Sequence, residues 1–402
     1  MNGTFFLLAS IPLATPLTAT FLDMTRPRRR CIAAALALGA LAAPPLRAQT
    51  PVSASATIDL SGVLYGNFQY RTDALAKDFN KFDLERIYLT LRMPAGDRTS
   101  IRVTTDLFQQ QTTGNDAYYR GWTLRLKYGY LQYQFLRRAD LNAVARLGML
   151  HTVVIDHEEQ FWPRWVAQTA LERVGLMTAA DLGASTLWTL PSRWGEVYAT
   201  IVNGPGYTSR ETDRFKDVGL RLTLTPLAGS GSRLLTTLSI SPWYYKGASA
   251  SRFAAGGPLQ VGPVGSGLDR DRWGVFAGIR DPRLTLGAHF ASFSGEGENG
   301  NNTPASPRAV FDTTGRILSL YTIAKPLAVV DTTWNRLGLI ARWDRVTTNR
   351  TTDAAYHVLI GGITFDLSRR ATLSLDYQEQ LPDRLTPTTP LKTYFLHAVA
   401  TF

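Results

Sequence analysis

The chain has 402 residues, 45% of them hydrophobic, yet its mean hydropathy is slightly negative. Apolar residues must therefore alternate with polar ones at close range, and after the N-terminal segment no apolar run approaches the ~18 residues of a spanning helix, which excludes a helical membrane protein. The formal charge is +11, and because the first 48 residues hold five of the 43 basic residues and one of the 32 acids, the remainder carries +7. Such a balance fits nucleic acid, acidic lipid or an anion-lined channel alike.

From Met24 the chain reads MTRPRRRCIAAALALGALAAPPLRAQT, with Arg26, Arg28, Arg29 and Arg30 ahead of an apolar stretch from Cys31 to Ala43. A basic region followed by a short apolar run and small residues is the layout of a secretory signal peptide. Cleavage after Ala48 would start the mature protein at Gln49, although Leu46 is an unusual residue at the third position before a cut. The basic region begins only after Met24, so translation is read as starting there; a longer signal with a hydrophobic preface is the alternative. Cys31, the only cysteine, precedes the apolar stretch, which argues against a lipid-modified N-terminus and leaves the mature chain free of thiols. The domain organisation is thus residues 1–48 as signal region and 49–402 as one β-barrel.

The mature chain alternates with a period of two. Ile58, Leu60, Leu64, Phe68 and Tyr70 share one parity, while Asp59, Ser61, Asn67 and Gln69 share the other. The pattern returns at Arg86 to Met93, Ile101 to Leu107, Val218 to Leu224, Trp273 to Ile279, Leu284 to Phe290, Leu337 to Trp343 and Leu373 to Tyr377. Leu182 to Leu190 and Tyr356 to Leu367 are ambiguous, because both parities are apolar. Transmembrane barrel strands need roughly 9–11 tilted residues alternating between lipid and lumen.

Connection lengths give an independent reading. Short links at Pro94 to Arg98, Arg137 to Asn142, Pro191 to Glu196, Pro226 to Ser232, Arg280 to Arg283, Lys325 to Thr332 and Leu367 to Ala371 take turns with longer ones. The longest are His151 to Ala180, Trp243 to Asp271 and Gly295 to Thr314. Short periplasmic turns alternating with long external loops, with both chain ends on the turn side, predict an all-β transmembrane antiparallel barrel of sixteen strands; one misread segment would make it 14 or 18. Trp122, Tyr128, Tyr130, Trp243, Tyr244, Tyr245, Trp334 and Trp343 are expected to form interfacial girdles. The chain closes on Phe402, with Tyr394, Leu396, Ala398 and Ala400 on its parity, an ending that resembles the assembly signal of bacterial outer-membrane proteins.

The stretch from Phe82 to Leu227 resembles the phosphate-selective porin O and P family and its wider porin relatives. The likeness is carried by FDLERIYLTLRM, VTTDLF, LKYGYLQYQF, RLGML, DLGASTLW, NGPGY and KDVGLRLTLTP in that order, and covers about the first half of the barrel. It implies a homotrimer of 16-stranded barrels in the outer membrane of a Gram-negative type cell, whose third external loop folds inward to narrow a water-filled pore. Such a channel passes small hydrophilic solutes or ions by passive diffusion, without cofactor or enzymatic activity. Its partners would be outer-membrane lipids, the barrel assembly machinery and small polar solutes or anions.

The matching third link, His151 to Ala180, carries Asp156, Glu158, Glu159 and Glu172 with Arg164 and Arg173, and has Trp162, Trp165 and Val166 for packing. Its stretch WVAQTALERVGL suits one or two helical turns. Parity points Arg86, Arg102, Asp106, Arg125, Arg146, Arg221 and Arg342 into the lumen. Opposed acidic and basic rows would orient polar solutes with modest ion selectivity. Strongly anion-preferring family members use clusters of lysine and arginine, whereas lysines are few here and the loop is acidic, so the solute and the sign of selectivity stay open.

Four other readings compete with the porin. A barrel hydrolase would need a nucleophile, a base and an orienting group, and IDHEEQ places His157 beside Asp156, Glu158 and Glu159. Adjacent residues on an extended loop splay apart, however, and the HExxH zinc spacing is lacking; the plainer reading is a solvated or ion-paired histidine. A nucleic-acid binder would gather its arginines into one stripe, and these are distributed. A gated receptor would need a plug ahead of the first strand. A structural barrel without an open pore is the last alternative, but sixteen strands normally enclose an aqueous space. The protein recovered from outer membranes is expected to begin at Gln49, which N-terminal sequencing checks; a mature start upstream of Met24 would overturn the signal assignment.

Overall fold

In lipid a backbone N–H or C=O has no water to bond, so a sheet can span a membrane only by pairing every strand edge. This chain does so. The computed structural model describes residues 57–402 apart from 110–120, 212, 251–266, 300–305, 307–308, 330–334 and 384–388. The expected signal region and Trp334 lie outside the described residues.

Sixteen strands run in sequence: β1 (Asp59–Arg71), β2 (Asn80–Gly96), β3 (Thr99–Gln109), β4 (Trp122–Arg137), β5 (Asn142–His151), β6 (Ala180–Thr189), β7 (Gly195–Val202) and β8 (Asp217–Leu224). The second half follows as β9 (Ser239–Ala250), β10 (Gly267–Asp281), β11 (Leu284–Asn299), β12 (Ala309–Ala324), β13 (Leu337–Asn349), β14 (Ala354–Ser368), β15 (Ala371–Pro382) and β16 (Leu391–Thr401). Each pairs antiparallel with its neighbours in sequence, and β1 pairs with β16 to close the barrel. Two single-turn helices, α1 (Ile155–Glu158) and α2 (Ala170–Arg173), lie in the β5–β6 link. No helix among the described residues is long and apolar enough to cross a membrane.

Alternation sets the two faces. Leu131, Leu147, Ile201, Val218, Leu320 and Leu339 stand exposed on the outside, where hydrocarbon is the solvent, while Thr104, Asp106, Ser185, Arg221, Ser319 and Asp344 are buried inside. β-Bulges break this parity. Thr104 pairs with Tyr128 and Thr105 with Leu126, leaving Lys127 as an extra residue in β4. Lys127 and Tyr128 therefore both turn inward, and both are buried. Tyr128 and Tyr130 are consequently lumenal rather than interfacial, as are Trp243 and Tyr245, which share the buried parity of Ser239 and Ser241 in β9, whereas Trp122, Tyr133, Tyr244, Trp273 and Tyr394 are exposed. The apolar inner parity of β14 has a different cause: Val358 and Ile360 are buried against Trp162 of the β5–β6 link.

Connection lengths depart from strict alternation. At the end where β1 begins, the links 225–238 and 325–336 are longer than the sequence reading allowed, and each contains a 3-10 turn, Leu235–Thr237 and Pro326–Val329. At the opposite end the β13–β14 link is only residues 350–353. There the side-chain carbonyl of Asn349 accepts from the backbone N–H groups of Thr351 and Thr352, and Asp353 takes a positive φ of 51°, which together reverse the chain in one tight turn. Much of Trp243 to Asp271 and Gly295 to Thr314 is strand, because β9 to β12 are 12, 15, 16 and 16 residues long.

The seam is finished by the terminal residue. Gly62 and Phe402 exchange backbone hydrogen bonds of 2.8 and 3.0 Å, and a Cβ at Gly62 would lie 2.2 Å from the Phe402 ring. Removing Phe402 is expected to cut the yield of closed barrel severalfold without changing export, and Gly62→Val should do the same by displacing the ring. Heat-modifiable electrophoretic migration of the membrane fraction checks both; normal yields would show that the terminal aromatic is dispensable.

Candidate functional site

Residues 152–179, between β5 and β6, leave the wall and lie across the lumen. Their local structure follows from what they pack on. Val153, Val154 and Ile155 have no exposed surface and seat the segment on Tyr128, Trp243, Tyr245, Ile317 and Val346. Phe161, Trp162 and Val166 form a second cluster with Phe276, Tyr321, Ile340, Val358 and Ile360. Gly278 makes room for this, since a Cβ there would fall 2.7 Å from the Phe161 ring. The Trp162 indole N–H donates to Ala167 O at 2.8 Å, and its ring lies 5.2 Å from that of Tyr321.

Polar tethers reach nearly every side of the wall. Arg221 of β8 donates to Val153 O at 2.8 Å, Arg342 of β13 to Gln168 O at 2.8 Å, and Gln378 of β15 to Val166 O at 3.0 Å. Arg164 donates to the Tyr88 hydroxyl of β2 at 3.3 Å. Arg173 pairs with Asp344, whose other oxygen accepts from Arg342 at 2.9 Å. His157 lies 2.9 Å from the Ser241 hydroxyl of β9.

The acids of the segment do not form a row facing arginines across a gap; each is in direct contact with a partner. Glu159 and Glu172 both pair with Arg164, within the segment itself. Glu158, fully buried, accepts from His289 Nδ1 at 2.7 Å. The Trp243 indole N–H is only a donor and points at His289 Nε2 from 3.0 Å, so the ring proton sits on Nδ1. Asp156 repeats the device. His151 Nδ1 is 2.8 Å from its carboxylate, and the donor-only Arg102 guanidinium is 3.0 Å from Nε2.

Titration follows from these contacts. Burial pushes the Asp156 carboxyl up, but His151, Arg102 and Lys127 outweigh it and hold the group below the usual carboxylate range. Burial raises Glu159 despite Lys127 and Arg164 nearby. Burial and then the Arg221 charge push His157 down to about 3, so its ring is uncharged at neutral pH.

The wall residues named from parity are placed as follows. Arg86 and Arg125 both pair with Asp106, at 2.9 and 2.8 Å, in one cluster on β2, β3 and β4. Arg102 contacts His151, and Arg146 donates to Gln132 at 2.8 Å and stands over Tyr130. Arg221 pairs with Glu196, and Arg342 with Asp344. Beside the crossing segment remains a chamber of about 230 Å³ whose charged lining is Arg102, Arg146 and Arg221 with Asp156 and Glu196, completed by His151, His157, Gln160, Tyr130 and Tyr198. Two larger grooves, of about 620 and 510 Å³, are lined chiefly by outward-facing apolar residues such as Leu286, Leu320, Leu147 and Ile201, and face lipid. Sequence reasoning missed Tyr88, Glu196, Ser241, His289, Asp344 and Gln378. Asp344 was within reach, being two positions from Arg342 on the same parity; Tyr88, Ser241, His289 and Gln378 contact the segment, and Glu196 its tether Arg221, through tertiary placement alone. Among the described residues no group of three or more His, Cys, Asp or Glu could hold a metal ion.

The fold is that of outer-membrane porin barrels. OmpT, an outer membrane protein of Vibrio cholerae, superposes with a TM-score of 0.57 at 10% identity, over 88% of this chain and 100% of that one; it has also been solved in a trimer form. An anion-selective porin from Comamonas acidovorans gives 0.54 at 12% identity, over 86% and 100% of the two chains. OprB of Pseudomonas putida gives 0.56 at 10%, over 86% and 94%. No protein-family model matches the sequence, and no curated protein matches it. These similarities define a porin-like barrel and do not single out the phosphate-selective O and P family.

The crossing segment is expected to depend on its anchors. Trp162→Ala should cost roughly 3–5 kcal/mol through the cavity it leaves, read as a lower temperature for loss of heat-resistant migration. An unchanged temperature would mean that the segment is held without the tryptophan.

Proposed function

We propose that the protein is an outer-membrane porin, exported through cleavage after Ala48, that passes small hydrophilic solutes or ions through a narrow water-filled channel. The observation that carries this reading is the polar chamber inside a closed sixteen-stranded barrel, bounded by a segment that leaves the wall to cross the lumen. Irregular backbone is tolerated at that depth only where protein or water satisfies it. On this reading the links between even-numbered and following odd-numbered strands are periplasmic, and residues 152–179 form the constriction. Asp156, Glu158, Glu159, Arg164, Glu172 and Arg173 then fix its position, while Arg102, Arg146 and Arg221 meet the solute. Three arginines against two acids favour a mild preference for anions. A homotrimer is proposed on the trimer form of the Vibrio cholerae barrel, and Phe402 as the residue met by the assembly machinery.

The hydrolase reading is disfavoured by proton geometry. In the Asp156–His151 and Glu158–His289 pairs the ring nitrogen that a general base would use already accepts from Arg102 or Trp243. His157, beside Ser241, is too weak a base at about 3 to take a hydroxyl proton near neutrality. The second reading, a barrel without an open pore, is favoured by one observation: the crossing segment touches β2 on one side and β8 to β15 on the other.

Planar-bilayer recording in a salt gradient separates these. A porin gives small discrete steps with a reversal potential on the anion side, whereas the absence of steps would establish the closed barrel. Deleting residues 158–163 should raise the step several-fold, and Arg102→Glu should move the reversal potential toward cation preference. Unchanged conductance after the deletion would place the constriction elsewhere.

A further inference from the structure

The two rims of the barrel differ in charge far more than the chain's composition suggests. The seven links at the end where β1 begins, residues 97–98, 138–141, 190–194, 225–238, 282–283, 325–336 and 369–370, contain nine Lys or Arg and three Asp or Glu. At the other end, the seven links other than 152–179, which lies across the lumen, contain nine Lys or Arg and seven Asp or Glu. One rim thus carries an excess of six positive charges and the other of two. At the other rim the charges cancel locally, as in Arg71–Asp73, Lys81–Asp83, Lys216–Glu211 and Lys392–Glu379.

The basic rim is not cancelled in that way. Three of its hairpins each present two exposed arginines: Arg137 and Arg138, Arg280 and Arg283, Arg369 and Arg370. Among the described residues none of these six has an acidic partner within ion-pair distance; on this rim Arg233 takes Asp281 at 3.1 Å, and Lys325 pairs with Asp366 at 2.5 Å. Two of the three pairs also sit next to exposed apolar residues. Phe135 precedes the first pair and Leu367 the third, with Trp194 exposed on the β6–β7 link between them in the ring. Unpaired guanidinium groups at the lower edge of an apolar band occupy the depth at which phospholipid headgroups lie. Arginine's planar fork matches a phosphate oxygen pair, and several such groups on one ring add their attraction to an anionic surface.

We propose that this rim is a binding surface for anionic phospholipid, one that holds a belt of phosphatidylglycerol-type headgroups around the barrel in the leaflet the turns face. The proposal rests on the membrane placement given above. Arginines buried in the lumen satisfy each other's neighbours and need no lipid; those on the rim have donors to spare and an apolar shelf on which the acyl chains rest.

The test uses the protein exported with its own leader and extracted from outer membranes in detergent. Equimolar phosphatidylglycerol and phosphatidylethanolamine are offered, and retained lipid is counted by native mass spectrometry. Phosphatidylglycerol should be preferred by about tenfold at low salt, the preference fading near about 0.5 M salt as the charges are screened. The variant R137Q, R138Q, R280Q, R283Q, R369Q and R370Q should bring the ratio close to one, while K81Q, K216Q and K392Q on the other rim should leave it unchanged. A wild-type ratio near one, or an unchanged ratio in the six-fold variant, overturns the proposal, as does retention of a soluble acidic polymer in preference to the lipid. If the six-fold variant loses heat-modifiable migration, the three double variants are read instead, each expected to lower the ratio; none doing so overturns it equally. Conductance of the same preparations tests the pore separately: steps without lipid preference reject the belt alone, and lipid preference without steps rejects the channel alone.

Discussion

Everything in this molecule follows from the cost of an unpaired backbone group in hydrocarbon. That cost forces β1 onto β16 and leaves no free edge. Once the sheet is closed, one parity of every strand must satisfy lipid and the other must face an interior that lipid does not reach. The interior can then carry arginine, aspartate and histidine at membrane depth, which an isolated spanning segment could not. Closure also fixes the rims, because consecutive antiparallel strands send every second connection to the same end.

Within that frame the lumen is occupied by a segment built much like a small protein core. Its aliphatic residues and tryptophan pack on the wall, and its charges are neutralised one by one. Removing a partner from such a pair is expensive because the remaining charge stays buried. This explains why acids that look from their sequence like a selectivity row act instead as fastenings: Glu158 is held by His289, whose other ring nitrogen accepts from Trp243, and Glu159 and Glu172 by Arg164. The cavity that remains lies on the side of the segment facing Arg102, Arg146 and Arg221.

The barrel was legible in the sequence because alternation is a local property. Asp59 to Arg71 and Thr99 to Gln109 show their faces without any knowledge of neighbours. Legibility fails where a neighbour changes the rule. The extra residue at Lys127 shifts Tyr128 and Tyr130 to the inside, and the bulge depends on pairing with β3, which no pattern within β4 records. Val358 and Ile360 make β14 look buried on both faces because a segment some two hundred residues earlier covers them. The inward position of Arg86, Arg125 and Arg342 could be read from parity; their partners Asp106 and Asp344 share that parity, but only the folded barrel brings Arg86 and Arg125 onto the same carboxylate.

The long reach of the crossing segment has a consequence for the order of events during biogenesis. Val166 bonds to Gln378, 212 positions later, and Trp165 lies 6.0 Å from His397. When strands are added in sequence, Phe161 and Trp162 have nothing to rest on until the last third of the chain has arrived. Seating the segment is therefore a late step that coincides with sealing the sheet, as expected when contacts join distant parts of a chain. A nascent barrel would pass through a stage in which its mouth is wider than in the finished protein, with exposed aromatic residues marking it as incomplete. The aromatic residues of the crossing segment thus become buried only late in the formation of the barrel.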